Sequence, residues 1–298
     1  MCSATRKLQA GRPMRKRFLL VHNPIAGVEG RSLLGRVTKA LEAQGATVVA
    51  APSNGAGPNL SALDGGMFDA AIAAGGDGTF RALAKAIGER LPIGFLPMGT
   101  GNVLAYEIAL PKKPDEVASV YLAGREITIE GARANGEPFF LMAGAGYDGE
   151  VINRLNTSLK RKIGKAAYVP PVLASLALGE PDLEILIDGS RHRAGWIVVT
   201  KARRYGGAFT ISRDAGLQKP ELRAVLFKSR SRALRVAQLQ ALAWGMLEHM
   251  KSVETIVCRR VEVRASTNAA VQIDGDPFGT TPLIVESGGP RARLIVPG

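Results

Sequence analysis

The sequence predicts an α/β domain built on a parallel sheet, followed by an antiparallel β-domain. Up to about residue 125, apolar runs alternate with segments of helical periodicity, and the joins between them are short. Such alternation is typical of a parallel sheet wound with helices. Beyond that point the apolar runs become short and rich in β-branched residues, and turns containing Gly, Asp or Pro separate several of them, which indicates antiparallel strands.

The elements of the first half follow from apolar runs that end in loops and from the helical spacing of leucine and valine. The stretch 31–45, for example, repeats these residues at helical spacing and ends at Gly45, a typical stop signal. The predicted strands are 17–24, 46–52, 68–76 and 92–102, and the predicted helices are 31–45, 79–91 and 103–110.

The second half contains a hairpin signal and two helical stretches. An Asn-Gly pair at 135–136 lies between two strand-like runs, which favours a β-hairpin. Helical stretches at about 150–178 and 231–250 interrupt the strands. In the second stretch, one face carries regularly spaced apolar side chains that we expect to pack in the core, the alternative being contact with a membrane. These are Leu234, Ala237, Ala241 and Trp244.

Composition limits the classes of function. The chain has 298 residues and a formal net charge of +13, which suits an anionic partner. Aromatic residues make up only 5% of the chain, which disfavours a nucleic-acid module that stacks on bases. The 2 cysteines cannot build a disulfide framework, so we expect a reducing, cytoplasmic setting. No apolar run reaches the roughly 20 residues of a membrane-spanning helix.

Two glycine-rich loops each follow a predicted strand and open a predicted helix: GGDGT at 75–79 and GTGN at 99–102. Ligands of open parallel sheets bind at this carboxyl edge. Glycine lets backbone N–H groups approach an anion closely, and a helix N-terminus adds partial positive charge, so we interpret both loops as phosphate cradles. Asp77 would then act through a bridging Mg²⁺ or as a proton acceptor. Alternatively, the loops are plain strand–helix turns and Asp77 is an N-cap.

The sequence does not contain the motifs of several other classes of enzyme. The stretch GAGYDG at 144–149 matches G-x-G-x-x-G, but basic residues stand where a dinucleotide site needs an acid. The chain contains no G-x-x-x-x-G-K-[ST] and no G-x-S-x-G, and its 3 histidines lack metal-ligand spacing. A nicotinamide enzyme, a P-loop enzyme and a hydrolase are therefore disfavoured.

Six motifs occur in the order found in the diacylglycerol kinase catalytic family, which the chain resembles over about residues 17–298. They are NPIAG (23–27), GGDGT (75–79), PMGTGN (97–102), AGAGYDGEV (143–151), YGGAF (205–209) and QIDGD (272–276). The family includes bacterial soluble lipid kinases, sphingosine kinases and ceramide kinases. The resemblance implies a three-layer α/β domain with a parallel sheet, of the NAD kinase/diacylglycerol kinase-like type, and a C-terminal antiparallel β-sandwich.

Carried over residue by residue, the resemblance implies an ATP site, a Mg²⁺ site and a catalytic base. Asp77 and Asp276 would be catalytic, with Asp276 as the base on the acceptor hydroxyl, where many relatives have Glu. Asp77 and Glu130 would bind the metal. The nucleotide-binding positions would be Asn23, Pro24, Gly27, Gly75, Gly76, Gly78, Thr79, Gly99, Thr100, Gly101 and Asn102.

The same resemblance divides the chain into a basic tail (1–16), a nucleotide-binding domain (17–125) and a lipid-acceptor domain (126–289). The strand at about 290–298 would return to the first domain. The chain departs from the family pattern where it lacks three acids. They are replaced by Ala82, by Val103 and by Lys219, the last in a Lys-Pro pair where bacterial diacylglycerol kinases have the Asp-Gly of a structural Mg²⁺ site. We therefore expect this structural metal to be absent.

These observations predict a lipid kinase that transfers the γ-phosphoryl of ATP to a lipid hydroxyl at an anionic membrane surface, on the cytoplasmic side. The acceptor stays open between diacylglycerol and ceramide or a sphingoid base. The alternatives are an NAD kinase-like enzyme and a non-catalytic lipid-binding homologue. No nucleic-acid partner is expected, and the oligomeric state stays open, with a homodimer among the options. Basic residues within 160–165, ahead of the apolar run 166–179, predict a membrane-facing lip or else a solvated loop before a packing helix.

Overall fold

The computed structural model contains two domains, and across its described residues the strands form three six-stranded sheets and one short hairpin. The structure describes residues 14–22, 28–52, 66–155, 169–177, 181–228 and 231–298. The predicted nucleotide-binding residues Asn23, Pro24 and Gly27 lie outside these ranges, as do most of the basic tail and the basic segment 160–165.

The first sheet belongs to the N-terminal domain. Its strands are β1 (Arg17–His22), β2 (Thr47–Pro52), β3 (Ala70–Gly75), β4 (Ile93–Pro97), β5 (Arg125–Glu130) and β20 (Arg291–Val296). They lie in the order β2–β1–β3–β4–β20–β5, and the first four are parallel. Because β20 pairs with both β4 and β5, the C-terminal strand lies in the N-terminal domain. Strand β3 is buried along its whole length, as expected for a parallel strand covered on both faces.

Four helices cover the two faces of this sheet. They are α1 (Val28–Ala43), α2 (Asp77–Ile87), α3 (Val103–Glu107) and α4 (Pro114–Ala123). On one face, α1 and α4 pack with Phe18 and Leu20 of β1. On the other face, α2 buries Phe80 and Leu83 together with Leu19 of β1. The side chains of one strand thus alternate between two cores, and the predicted three-layer α/β domain is confirmed.

The second domain is a sandwich of two antiparallel sheets, which confirms the second half of the predicted fold. One sheet has the order β10–β9–β16–β19–β6–β7 and the other the order β15–β14–β11–β8–β17–β18, beside a separate β12–β13 hairpin. The strands are β6 (Ala132–Ala134), β7 (Glu137–Phe139), β8 (Met142–Ala145), β9 (Leu183–Ile187), β10 (Ser190–Ala194), β11 (Trp196–Thr200), β12 (Arg204–Tyr205), β13 (Phe209–Thr210), β14 (Leu222–Phe227), β15 (Val253–Cys258), β16 (Arg260–Ala265), β17 (Ala270–Ile273), β18 (Asp276–Thr280) and β19 (Leu283–Glu286). Val261 and Val263 of the first sheet share a core with Ile197 and Val199 of the second.

Helices cover the outer face of the second of these sheets. They are α5 (Tyr147–Asn153), α6 (Val169–Ala177), α7 (Arg232–Ala243) and the short 3₁₀ helix Leu247–His249. Tyr147 of α5 and Leu242 of α7 share one core with Trp196 of the sheet and with Phe80 and Phe140. The core of the first domain therefore continues beneath these helices. None of the described helices is long and apolar enough to span a bilayer.

The prediction that Trp244 packs in the core is wrong. The helix ends at Ala243, and the Trp244 side chain beyond it is 81% exposed. The buried face of α7 instead carries Arg235 and Gln238. Arg235 Nη1 donates to the Ser175 carbonyl at 3.0 Å, and Gln238 Nε2 donates to the Ser252 hydroxyl at 3.1 Å. Apolar spacing missed this face because its buried residues are partly polar.

Candidate active site between the two domains

A cleft of about 450 Å³ lies where the two domains meet. We name its two sides by their chemistry. The glycine wall comes from the first domain and consists of Gly76, Asp77, Gly78, Gly99, Thr100, Gly101 and Asn102. The apolar wall comes largely from α5, α6 and α7 and consists of Met142, Tyr147, Val151, Ile152, Val172, Phe209, Leu239, Leu242 and Ala243. The other lining residues are Val103, Asp148, Tyr205, Gly206, Gln272, Asp274, Gly275 and Asp276.

The glycine wall is bare because its parts touch each other. A Cβ atom on Gly99 would lie 2.9 Å from the Cα atom of Gly76 and 2.8 Å from Oδ1 of Asn102. A Cβ atom on Gly78 would lie 2.7 Å from Oδ2 of Asp276. The two predicted cradles therefore meet as adjacent backbone, and Asp276 of the second domain lies against one of them.

Asp77 joins the two loops, and Asn102 closes the second loop on itself. Both oxygens of Asp77 accept hydrogen bonds at the start of α3, from the N–H of Val103 at 2.9 Å and from the N–H of Leu104 at 3.1 Å. Asn102 has left-handed backbone, with φ 48°, and its side chain bonds to the N–H and the carbonyl of Gly99. Asp77 thus caps the following helix across the loops. Asp77 also lines the cleft.

Three of the predicted site residues in the described ranges are not part of the cleft lining. Gly75 lies beneath it, and a Cβ atom there would collide with the Thr79 side chain, so both residues shape the turn from below. Glu130 lies at the end of β5, where its backbone N–H donates to the Leu217 carbonyl at 3.1 Å. Its role as a metal ligand stays a prediction.

Arg81 crosses from the first domain to Asp276. Its guanidinium donates to Oδ2 of Asp276 at 3.0 Å and to the carbonyl of Ile273 at 2.9 Å. The Asp276 side chain is 51% exposed, so its carboxylate faces the cleft while Arg81 supports it from one side. The sequence analysis noted only the acid missing at Ala82, whereas the residue before it brings a cation to the candidate base.

A buried carboxylate fixes the turn that carries Asp276. Asp274 accepts hydrogen bonds from three consecutive backbone N–H groups, those of Phe140, Leu141 and Met142, at 2.9 to 3.1 Å. Burial raises the pKa of Asp274, and the nearby Arg81 and these N–H groups oppose that rise. The turn between β17 and β18 is therefore fastened to β8, and Asp276 follows it in a defined position.

Sequence reasoning missed a polar cluster formed by Asp148, Tyr205 and Gln272. The Asp148 side chain is buried, and it accepts hydrogen bonds from the Tyr205 hydroxyl and from Gln272 Nε2, the latter at 2.6 Å. Burial raises the pKa of Asp148, while these two hydrogen bonds lower it. The available signal was the GAGYDG stretch, which we set aside as a dinucleotide motif. Gly144 is required there because a Cβ atom would collide with the Asp148 carboxylate.

A buried lysine side chain lies against Lys219, one of the positions where the sequence departs from the family pattern. Lys201 is fully buried, and its Nζ donates to the carbonyl of Lys219. Burial lowers the pKa of Lys201, while Glu130 and Glu221 oppose that shift. Within the described residues, no group of three or more His, Cys, Asp or Glu side chains is placed to bind a metal ion.

Comparisons with known proteins find relatives for both domains. Residues 17–134 match the family described as diacylglycerol kinase catalytic domain, and residues 142–296 match the YegS C-terminal NAD kinase beta sandwich-like domain. The diacylglycerol kinase of Bacillus subtilis (strain 168) is 26% identical over 285 residues, covering 90% of this chain and 92% of that protein. The diacylglycerol kinase of Mycobacterium tuberculosis (strain H37Rv) is 28% identical over 219 residues, covering 70% of each.

The fold has a close counterpart among solved structures. A crystal structure of a diacylglycerol kinase from Bacillus anthracis str. Sterne superposes with a TM-score of 0.74 at 19% sequence identity, covering 96% of this chain and 98% of that one. The two family matches span both domains, and the glycine loops, the Asp148 cluster and Asp276 all lie within them. The chain therefore belongs to the diacylglycerol kinase catalytic family of lipid kinases.

Proposed function

We propose that this chain is an ATP-dependent lipid kinase, which transfers the γ-phosphoryl group of ATP to a hydroxyl of diacylglycerol or of ceramide or a sphingoid base. One observation carries the proposal: a single cleft combines a bare glycine wall with an apolar wall, and it contains the carboxylate of Asp276. The first wall suits a triphosphate and the second suits acyl chains.

The glycine wall fits the phosphates of a nucleotide. Close contacts exclude side chains at Gly78 and Gly99, and Gly76 lies against Gly99, so a phosphate oxygen can approach the backbone. Helix α2 begins at Asp77 and has 11 residues, and the partial positive charge of its N-terminus acts on the same space.

Asp77 and Asp276 are the residues that would hold Mg²⁺, together with the nucleotide phosphates. Mg²⁺ in kinases is commonly held by one or two carboxylates plus substrate oxygens, so the small acidic set of this cleft is sufficient. When bound, the ion neutralises charge on the transferring phosphoryl group. At the Lys219 position we infer that no second divalent ion binds, because the buried Lys201 ammonium already supplies a positive charge there.

Asp276 is proposed as the base. It accepts the proton of the acceptor hydroxyl as the lipid oxygen forms its bond to the γ-phosphorus, the bond to the β-phosphate oxygen breaks, and ADP leaves. Arg81 holds one carboxylate oxygen at 3.0 Å and leaves the other available to the acceptor. Arg81 is thus a positioning residue in this mechanism.

The apolar wall distinguishes a lipid acceptor from a soluble one. Its lining between α5, α6 and α7 offers contacts to hydrocarbon and few polar groups for a second nucleotide, which disfavours an NAD kinase-like activity. The net charge of +13 favours an anionic membrane surface as the source of the lipid, and we propose a peripheral position on its cytoplasmic side, where ATP is available.

The test is phosphate transfer from labelled ATP with Mg²⁺ to micellar diacylglycerol, ceramide, sphingoid base or phosphatidylglycerol, with NAD as a soluble acceptor. Asp276→Asn should lower kcat by about 10²–10⁴-fold, as expected for loss of a general base, with an unchanged melting temperature because the residue is half exposed. Asp276→Glu should retain part of the activity. Labelled NAD would replace the proposal with a soluble kinase, and nucleotide binding without transfer to any acceptor would replace it with a non-catalytic homologue.

A further inference from the structure

We propose that an exposed apolar face beside the apolar wall is the surface by which this protein docks on an anionic lipid bilayer. We call it the docking face and define it by Leu173, Phe209, Val236, Trp244 and Met246. The inference rests on the proposed lipid kinase function, and it names the surface through which the acceptor would be reached.

The docking face is a local concentration of exposed apolar side chains. In the part of the chain that the structure describes, the other exposed large hydrophobics are Met14, Val49, Met67 and Val257, which come from separate elements. The five of the docking face come from α6, from β13, and from α7 with the turn after it, and α7 contacts both α6 and β13. Exposed apolar side chains scattered singly are ordinary, whereas a contiguous set beside a ligand cleft marks an interaction surface.

Hydrogen bonds hold these elements in one surface. Arg235 of α7 donates to the Ser175 carbonyl of α6 at 3.0 Å. The Tyr147 hydroxyl of α5 donates to the Val172 carbonyl of α6 at 3.1 Å. Arg213 donates to the Gly245 carbonyl at 3.2 Å, between Trp244 and Met246. The exposed side chains are therefore carried on a supported scaffold.

A bilayer is the occupant that the chemistry of this face favours. Trp244 is 81% exposed, and tryptophan is the side chain that most prefers the boundary between headgroups and acyl chains. Arg232 is the first residue of α7, Arg204 lies on β12, which pairs with β13, and Arg213 follows β13. Glu248, which pairs with Arg213, and the exposed Asp214 offset part of this charge, and the chain as a whole carries a net charge of +13. Apolar side chains beside cations are the pattern of a surface bound to anionic lipid.

The docking face adjoins the cleft. Phe209 belongs to both, and the helices α6 and α7, which carry Leu173 and Val236 of the face, also carry lining residues of the cleft. A lipid leaving the bilayer at this face would meet the apolar wall without its acyl chains crossing water. The face therefore provides an entry route to the cleft as well as an anchor.

Tryptophan fluorescence tests the docking face directly, because the chain has 2 tryptophans and Trp196 is fully buried. With vesicles of equimolar phosphatidylcholine and phosphatidylglycerol, the emission of Trp244 should shift to the blue, and lipids brominated on their acyl chains should quench it. Trp244→Phe should abolish both responses. Vesicles of phosphatidylcholine alone should give a weaker response.

Variants then measure the contribution of the face. A double variant, Trp244→Ser with Met246→Ser, should lower the vesicle partition coefficient about tenfold or more, because it removes two exposed apolar side chains from the contact. Val49→Ser is the matched control, since Val49 is 46% exposed on the edge strand β2 of the other domain, and it should bind vesicles like the wild type. Equal partitioning of the double variant and the wild type would overturn the proposal.

Two further measurements test the docking face separately from the proposed lipid kinase activity. On a dispersed, water-soluble short-chain diacylglycerol, the double variant should retain wild-type turnover while losing it on vesicles. Vesicle binding that depends on Trp244, with no lipid phosphorylated by any form of the protein, would leave the docking face intact and remove the kinase proposal. A wild-type dimer in sedimentation that the double variant dissociates, without any vesicle response, would assign the face to a second copy of this chain instead.

Discussion

The two walls of the cleft are built on opposite principles. The glycine wall is backbone from two short segments, 75–79 and 99–102, in which the requirement for glycine at Gly75 and Gly99 is set by neighbours within the same domain. The apolar wall is made of side chains that span residues 142–243 and several elements. The glycine wall can therefore be predicted from a local sequence pattern, whereas the apolar wall forms only when the chain folds.

Some features of the glycine wall cannot be predicted from the sequence. The glycine spacing predicted the loops, yet the hydrogen bonds from α3 to Asp77 and the contact of Gly78 with Asp276 depend on folding. The pairing of Arg81 with Asp276 joins residues 195 positions apart, and no local pattern carries such information.

The largest expected effect tests whether the glycine wall is held by its own close contacts. In Gly99→Ala, the added methyl group would lie 2.9 Å from the Cα atom of Gly76, so the two loops must separate. We expect kcat/KM for ATP to fall about 100-fold, as for a displacement of about 1 Å in a positioning group. The free energy of unfolding should fall by about 1–3 kcal/mol.

Gly101→Ala is the matched control because a Cβ atom there has no neighbour within 4 Å. Its free energy of unfolding, measured by urea titration, should stay within about 0.5 kcal/mol of the wild type. Equal destabilisation of both variants would mean that the loops require glycine for backbone freedom rather than for their mutual contact.

A smaller effect is expected at Arg81, the side chain that reaches from the first domain to the candidate base. Arg81→Ala removes both hydrogen bonds to the β17–β18 turn, so Asp276 loses its support while the glycine wall is untouched. We expect kcat to fall about tenfold with little change in KM for ATP, since one charge-assisted hydrogen bond is worth roughly 1.5–3 kcal/mol at most. Steady-state kinetics on the preferred lipid measures both constants.

Two companion variants decide whether Arg81 acts by position. Arg81→Lys should recover part of kcat, because one ammonium can bond to Asp276 but cannot reproduce the guanidinium fork. Lys85→Ala, one turn along α2, removes an exposed ion pair with Glu137 that also joins the two domains, and it should leave kcat unchanged. A raised KM with unchanged kcat in Arg81→Ala would instead assign Arg81 to nucleotide binding.

The apolar wall marks the limit of prediction from sequence. Helical spacing assigned Trp244 to the core, but the buried face of α7 contains Arg235 and Gln238, whose side-chain N–H groups donate to Ser175 and Ser252 on other segments. Asp148 was overlooked for a related reason: a buried carboxylate becomes plausible only when Tyr205 and Gln272 are seen beside it. In both cases a nonlocal hydrogen bond overrides the rule that polar residues lie outside.

The smallest expected effect is the contribution of Asp148 to the free energy of unfolding. Its dependence on pH follows from the difference in the pKa of Asp148 between the folded and unfolded states. Burial raises the pKa of this carboxyl in the folded state above the value of 3.8 typical of an exposed Asp. The folded protein therefore binds this proton more tightly than the unfolded chain, so the stabilisation is fully present below about pH 3.8 and is lost as the pH rises through the folded pKa. Asp148→Asn, which cannot ionise, should match the wild type at low pH and become the more stable form as the pH rises.

Urea unfolding across a pH series measures this difference. An Asn side chain can still accept from Gln272 and donate to the Tyr205 oxygen, so the hydrogen-bond geometry of the cluster can persist. If the free energy of unfolding of Asp148→Asn is lower than that of the wild type by an amount that does not change with pH, the Asp148 carboxylate is ionised in the folded state and its hydrogen bonds fully offset the cost of burying it. If the variant gains stability and loses lipid turnover, the buried acid is retained at the cleft for the reaction, at the expense of stability.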